Sequence, residues 1–167
     1  ILDGSGYTIG PVTGFTSGPS NELYLFKTDA SLTLQDLTVS GFTTDLSLTI
    51  IDSNGPYLGL SGCNFINNTV YQHIFVEASN NVTDICNSVF QYVSSTRQDT
   101  SGGGAITSFG KRLSISDSSF IGNSSSLDGG AIWSKNDITI SGGTFTKNHA
   151  GGHGGALYAD SGGIILD

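Results

Sequence analysis

The chain has 167 residues, 24 of them glycine and three proline, with no methionine. Fourteen acidic residues against six basic give a formal charge of −8, which opposes partnership with nucleic-acid phosphates or an anionic membrane surface. Its Ser, Thr, Asn and Gly disfavour helix, and no run approaches the roughly 18 consecutive apolar residues of a membrane span, so this segment is not expected to insert directly into a membrane.

Short apolar alternations take the place of helices. Leu32-Thr33-Leu34, Leu58-Gly59-Leu60, Leu113-Ser114-Ile115 and Ile138-Thr139-Ile140 each place two apolar side chains on one face of a strand. Each precedes a bulky anchor in the series Val39, Phe65, Phe90, Phe120 and Phe145, whose intervals are 26, 25, 30 and 25. Equal intervals stack strands in parallel register and turn each position into a ladder. The expectation is an all-β parallel β-helix, a solenoid of about 25 residues per turn and six to seven turns, rising roughly 30 Å at the usual strand spacing. The whole of 1–167 reads as a single β-helix segment. The patterned ends, Ile1-Leu2-Asp3 and Gly163 to Asp167, suggest an excerpt of a longer chain.

Residues 1–102 are less regular than 103–167, where two tetrapeptides alternate. Gly103-Gly104-Ala105-Ile106, Gly129-Gly130-Ala131-Ile132 and Gly154-Gly155-Ala156-Leu157 follow one another at intervals of 26 and 25, and Phe120-Ile121-Gly122-Asn123 and Phe145-Thr146-Lys147-Asn148 keep step. A glycine pair supplies backbone angles that other residues resist at a tight corner. Asparagines three residues after the anchors, Asn68, Asn123 and Asn148, can satisfy turn backbone groups as a buried ladder. Both readings are structural.

Together the two motifs resemble the repeats of the chlamydial polymorphic outer membrane proteins, a family of autotransporter adhesins with a β-helical passenger on the cell surface and a C-terminal membrane barrel. The resemblance is specific over 103–167; upstream only Phe65-Ile66-Asn67-Asn68 fits Phe-x-x-Asn, and Gly-Gly-Ala does not occur before residue 103. It implies a right-handed coil, in keeping with the general hand of parallel crossovers, an extracellular or cell-surface location, and a link to adhesion for Gly103 to Ile106, Gly129 to Ile132, Gly154 to Leu157, Phe120, Asn123, Phe145 and Asn148.

Catalysis finds little support. Gly152-His153-Gly154 is similar to an element of polygalacturonases, but the companion carboxylate motifs that glycoside hydrolysis needs are missing, and His153 reads as a turn residue. The acids come singly, at Asp29, Asp36, Asp45, Asp52, Asp84, Asp117, Asp128 and Asp137, although neighbouring turns could gather some of them. No calcium loop appears, His73, His149 and His153 lack metal-ligand spacing, and no cofactor is expected.

Four further features are open to test. Cys63 and Cys86 lie 23 residues apart, close to one turn, and are either bridged by a disulfide or two free thiols. Asn67, Asn81 and Asn123 each begin Asn-x-Ser/Thr and are glycosylation candidates in a source that glycosylates. The 30-residue interval before Phe120 places an excess in Ser94 to Gly102, so Arg97, Gln98 and Asp99 are contact candidates on a projecting loop. If Ile132 and Leu157 point inward, Trp133 and Tyr158 form an outward aromatic step beside Lys135, suited to sugar rings or a protein surface.

The reading is therefore an adhesin or display stalk whose partner is a host or neighbouring cell-surface protein or glycan. The alternatives are a structural subunit that stacks on copies of itself end to end, or a polysaccharide-active enzyme with three or more carboxylates converging on one face.

Overall fold

A computed structural model describes residues 1–11, 22–44, 47–70, 76–79, 82–96 and 102–167. All of the described strands pair in parallel, in four sheets that the chain visits in rotation. The first sheet stacks Leu2–Asp3, Leu32–Gln35, Tyr57–Ser61, Val82–Cys86, Arg112–Ser116, Ile138–Ser141 and Ile164–Leu166. The second stacks Thr8–Ile9, Thr38–Ser40, Asn64–Ile66, Val89–Gln91, Ser119–Ile121 and Thr144–Thr146. The third holds Thr43–Thr44, Thr69–Val70, Ser94–Ser95, Ser124–Ser125 and His149–Ala150, and the fourth Glu22–Thr28, Ser47–Ser53, Val76–Ala78, Ile106–Ser108, Ile132–Ser134 and Leu157–Ala159.

The result is a parallel β-solenoid of about 26 residues per turn. Turns containing a strand in all four sheets number about five, fewer than the six to seven expected from length, because Ile164–Leu166 only opens a further turn and 12–21 fall outside the described residues of the first.

Period-two alternation explains the core. On the first sheet Leu34, Leu60, Ile85, Ile115 and Ile140 are in register and buried, while Gln35, Ser61, Cys86 and Ser116 face outward. On the second sheet Val39, Phe65, Phe90, Phe120 and Phe145 share one register position. The rings of Phe65, Phe90, Phe120 and Phe145 stack with centroids 4.9, 4.8 and 4.8 Å apart. That spacing equals the distance between paired strands, so backbone hydrogen bonding and ring stacking are satisfied by the same repeat.

Each turn bends twice through left-handed backbone. Asp36, Gly62, Asn87, Asp117 and Gly142 occupy the corner between the first two sheets, and Gly41, Asn67, Tyr92, Gly122 and Lys147 the corner after the anchor, all with positive φ. Gly, Asn and Asp tolerate this conformation, whereas Tyr92 (φ 52°) and Lys147 (φ 57°) adopt it against their intrinsic preference.

Two buried polar columns close these corners. Asn68 donates from Nδ2 to the Val39 carbonyl at 3.0 Å and accepts the Phe42 N–H at 3.1 Å. Asn123 donates to the Phe90 carbonyl at 2.9 Å and accepts the Val93 N–H at 3.0 Å. Asn148 repeats the arrangement on Phe120 and Asn123. The second column consists of Cys63, Ser88 and Ser118. The Cys63 N–H donates to Ser88 Oγ and the Ser88 N–H to Ser118 Oγ, each at 3.1 Å, while each serine hydroxyl donates to the carbonyl two residues before it.

Candidate contact surface

The Gly-Gly-Ala motif forms the corner leading into the fourth sheet. The Ala131 carbonyl accepts from both the Ala105 and Ile106 N–H groups, and the Ala156 carbonyl accepts from Ala131 and Ile132 in the same way. The first glycine folds over its own motif: a Cβ on Gly103, Gly129 or Gly154 would lie 2.1 Å from the carbonyl oxygen of Ile106, Ile132 or Leu157 respectively. The second glycine packs on the next turn, where a Cβ on Gly104 would lie 2.2 Å from the Gly130 oxygen and one on Gly130 would lie 2.0 Å from that of Gly155. Ala105, Ile106, Phe120, Asn123, Ala131 and Ile132 are all fully buried. These motif residues thus build the interior and are withheld from a partner, while Phe145, Asn148, Ala156 and Leu157 of the last copies are partly buried.

Outward side chains form the accessible surface. On the fourth sheet Thr107, Trp133 and Tyr158 share one register position. The expected pairing of Trp133 with Tyr158 is present, but Trp133 is only 4% exposed, because the Phe109 ring packs against it at 5.2 Å. Phe109 takes over the exposed role at 39%. Tyr158 is half-buried and lies 6.1 Å from the exposed His153 ring. Lys135 pairs with Asp160, whose carboxyl is held below its ordinary range chiefly by that hydrogen bond. One turn back, Asp128 Oδ1 accepts the His153 N–H at 2.6 Å and lies 3.1 Å from His153 Nδ1, tying the two Gly-Gly-Ala corners together. His153 is therefore a corner residue, as its glycine context suggests.

Register locates the long turn. Ser95 to Ile106 advances by 11 where Ser125 to Ile132 advances by seven, and Ile106 to Leu113 advances by seven where Ile132 to Ile138 advances by six. Four of the five extra residues follow Ser95 and one falls beside Phe109. Ser94 and Ser95, expected in the loop, are instead a strand of the third sheet. Arg97, Gln98 and Asp99 lie outside the described residues.

The cysteines are free. Their sequence contexts look alike, but their register differs: Cys86 pairs with Ser61 and faces outward, whereas Cys63 is buried in the corner opposite Ser88. The two-residue offset thus puts the thiols on opposite sides of the wall, in keeping with the free-thiol alternative. Burial raises the Cys63 thiol pKa. Among the glycosylation candidates, Asn67 is exposed at its left-handed corner, Asn123 is buried with its amide committed, and Asn81 lies outside the described residues.

Among the described residues no three His, Cys, Asp or Glu side chains converge on a metal-sized site, so the clustered carboxylates required by a polysaccharide-active reading are not found there. Lys27 and the largely buried Asp52 pair at 3.0 Å, and Asp52 also accepts from Asn54, a local neutralisation within the fourth sheet.

Among known proteins, residues 117–135 and 138–160 match the Chlamydia polymorphic membrane protein repeat. No curated protein and no solved structure matches the chain. The first stretch begins at the corner just after the first-sheet strand Arg112–Ser116 and the second at the first-sheet strand Ile138–Ser141; each runs through Phe-x-x-Asn and Gly-Gly-Ala to just past a fourth-sheet strand. Proteins of that family are associated with the outer membrane and the cell surface. Residues 117–160 of this chain accordingly carry the chlamydial polymorphic membrane protein repeat, wound as consecutive turns of a β-solenoid.

Proposed function

We propose that this segment is a non-catalytic surface β-helix that acts as an adhesin or display stalk. The observation that carries the reading is the burial of the repeat motifs: Phe120, Asn123, Ala131 and Ile132 are committed to the interior, which leaves outward positions free to differ from turn to turn. A fixed column with variable outer faces suits contact with a host or neighbouring cell-surface protein or glycan. Phe109, Tyr158 and the Lys135–Asp160 pair are the proposed contact group on the fourth sheet.

The test is attachment of cells to beads coated with the 167-residue chain. Attachment that falls severalfold when Phe109, Lys135 and Tyr158 are together replaced by alanine supports the reading. Beads that bind no better than albumin-coated controls sink it.

A further inference from the structure

We propose that the outer face of the first sheet binds an uncharged saccharide at Tyr57, Asp84 and Arg112. This site is on a different sheet from the group tested above and does not depend on the adhesin reading.

The sequence builds it around a missing side chain. Thr33, Gly59, Asp84, Ser114 and Thr139 share one outward register position, and glycine interrupts the series at 59. The Tyr57 ring leans along its strand into that gap: a Cβ on Gly59 would lie 2.9 Å from both the ring edge and the hydroxyl of Tyr57. Any larger residue at 59 would lift the ring away from the wall. On the next turn Asp84 is the register partner of Gly59, and on the turn after that Arg112 reaches back to Asp84 Oδ1 at 3.2 Å. Ring, carboxylate and guanidinium therefore follow one another on three successive turns, the last two joined by the ion pair. Burial, followed by the Asp84 carboxylate, raises the Tyr57 pKa, which keeps its hydroxyl protonated.

The chemistry fits a sugar. A half-buried ring held against a sheet offers an apolar surface to the C–H face of a pyranose. Asp84 accepts from hydroxyl groups and Arg112 donates to them; its guanidinium has five N–H donors, and the Asp84 contact engages one of its nitrogens. Thr33 and Ser114 add hydroxyls on either side of the Gly59–Asp84 pair. The opposite charges of Asp84 and Arg112 cancel within the site and the chain as a whole carries −8, so an uncharged ligand is favoured over an anionic one.

The experiment titrates the 167-residue chain with a neutral glucan or mannan hexasaccharide and with oligogalacturonate of equal length, followed by calorimetry and saturation-transfer NMR. The expected result is binding of a neutral sugar that weakens about tenfold in Tyr57→Ala and in Arg112→Gln, consistent with loss of an aromatic or arginine anchor. Arg112 is more than half exposed, so Arg112→Gln keeps the test valid if Tyr57→Ala fails to fold. Failure of every neutral hexasaccharide to bind overturns the proposal, as does tighter binding of oligogalacturonate. Binding that survives Arg112→Gln but is lost in Tyr158→Ala would move the sugar to the fourth sheet and also overturn it.

Discussion

Asn148 Oδ1 accepts hydrogen bonds from both the backbone N–H and the side-chain amide of Asn123, at 3.0 and 3.1 Å, one turn earlier in the chain. Each asparagine of this column thus serves the turn before it, so its loss leaves partners on a neighbouring turn unsatisfied. Asn123→Ala exposes no new surface but strands the Val93 N–H and Phe90 carbonyl in the interior. The expected cost is about 3 kcal/mol, measured as a lowered midpoint in urea denaturation. Asn148→Ala, at a half-buried site, should cost less.

The glycine pairs provide an internal control. Gly130→Ala drives a methyl group into the Gly155 carbonyl, whereas a Cβ on Gly155 meets nothing within 4 Å. Circular dichroism melts should show a fall in midpoint for Gly130→Ala, equivalent to about 3 kcal/mol or more, and a change within about 0.5 kcal/mol for Gly155→Ala. Equal effects would remove the close approach of successive turns as the reason for the second glycine.

Cys63 occupies a position that serine fills on the next two turns, and its thiol lies 3.4 Å from the Ser61 carbonyl in the same way that Ser88 Oγ approaches the Cys86 carbonyl. Cys63→Ser should therefore be accommodated with a change below about 1 kcal/mol, while Ser88→Ala should cost about 1–2 kcal/mol because the Cys63 N–H loses its acceptor. In the native protein a thiol reagent should modify Cys86 and leave Cys63 unreacted until unfolding. A mass gain on reduction would instead reveal a bridge.

Ser108 is fully buried and its hydroxyl has no hydrogen-bond partner among the described residues. Its register neighbours along the fourth sheet include Ala78 and, two turns on, Ala159. Ser108→Ala should stabilise the chain by up to about 1 kcal/mol, because it removes an unpaired polar atom at a site already built to hold a methyl group. A loss of stability on this substitution would mean that the hydroxyl has a partner.

Acid should weaken the tie between Lys135 and Asp160. The Asp160 pKa is lowered in the folded chain by Lys135, so the stabilisation from this pair is present above the unfolded carboxylate value of about 4 and fades as pH falls through the folded value. Both groups are partly exposed, so the effect should be small and screened by salt. Hydrogen exchange at Tyr158 and Ala159, compared between wild type and Lys135→Gln down to about pH 3, should show the difference vanish at the acid end.

Much of this architecture was legible because the anchors are rare. Phe65, Phe90, Phe120 and Phe145 stand out from a chain rich in Ser, Thr and Gly, so their spacing gives the turn and the register directly. The serine column was not legible, since Ser88 and Ser118 are two among many serines and Cys63 disguises the third position. The left-handed corner after each anchor is suggested by Gly41, Asn67 and Gly122, but Tyr92 and Lys147 adopt the same backbone and hide the pattern. On the outer surface, alternation correctly placed Trp133 and Tyr158 at one register position. It could not show that Phe109, carried there by a turn with one extra residue, would cover Trp133. Alternation determines which way a side chain points; what lies over it depends on local length, which differs between turns.

The stack of phenylalanine rings, evenly spaced at 4.8 to 4.9 Å, makes reach a quantised property of this molecule. Removing or duplicating one whole turn leaves ring on ring and asparagine on asparagine, so the length of the rod can change in steps of one strand spacing without redesign of its cross-section. A gain or loss of a single residue within a strand turns its inward side chains outward, whereas the four extra residues between Ser95 and Ile106 and the one beside Phe109 leave the ladders in register. Tolerance to length change in such a chain is thus governed by where in the turn the change falls: corners take up single residues or several, and strands take up only whole turns.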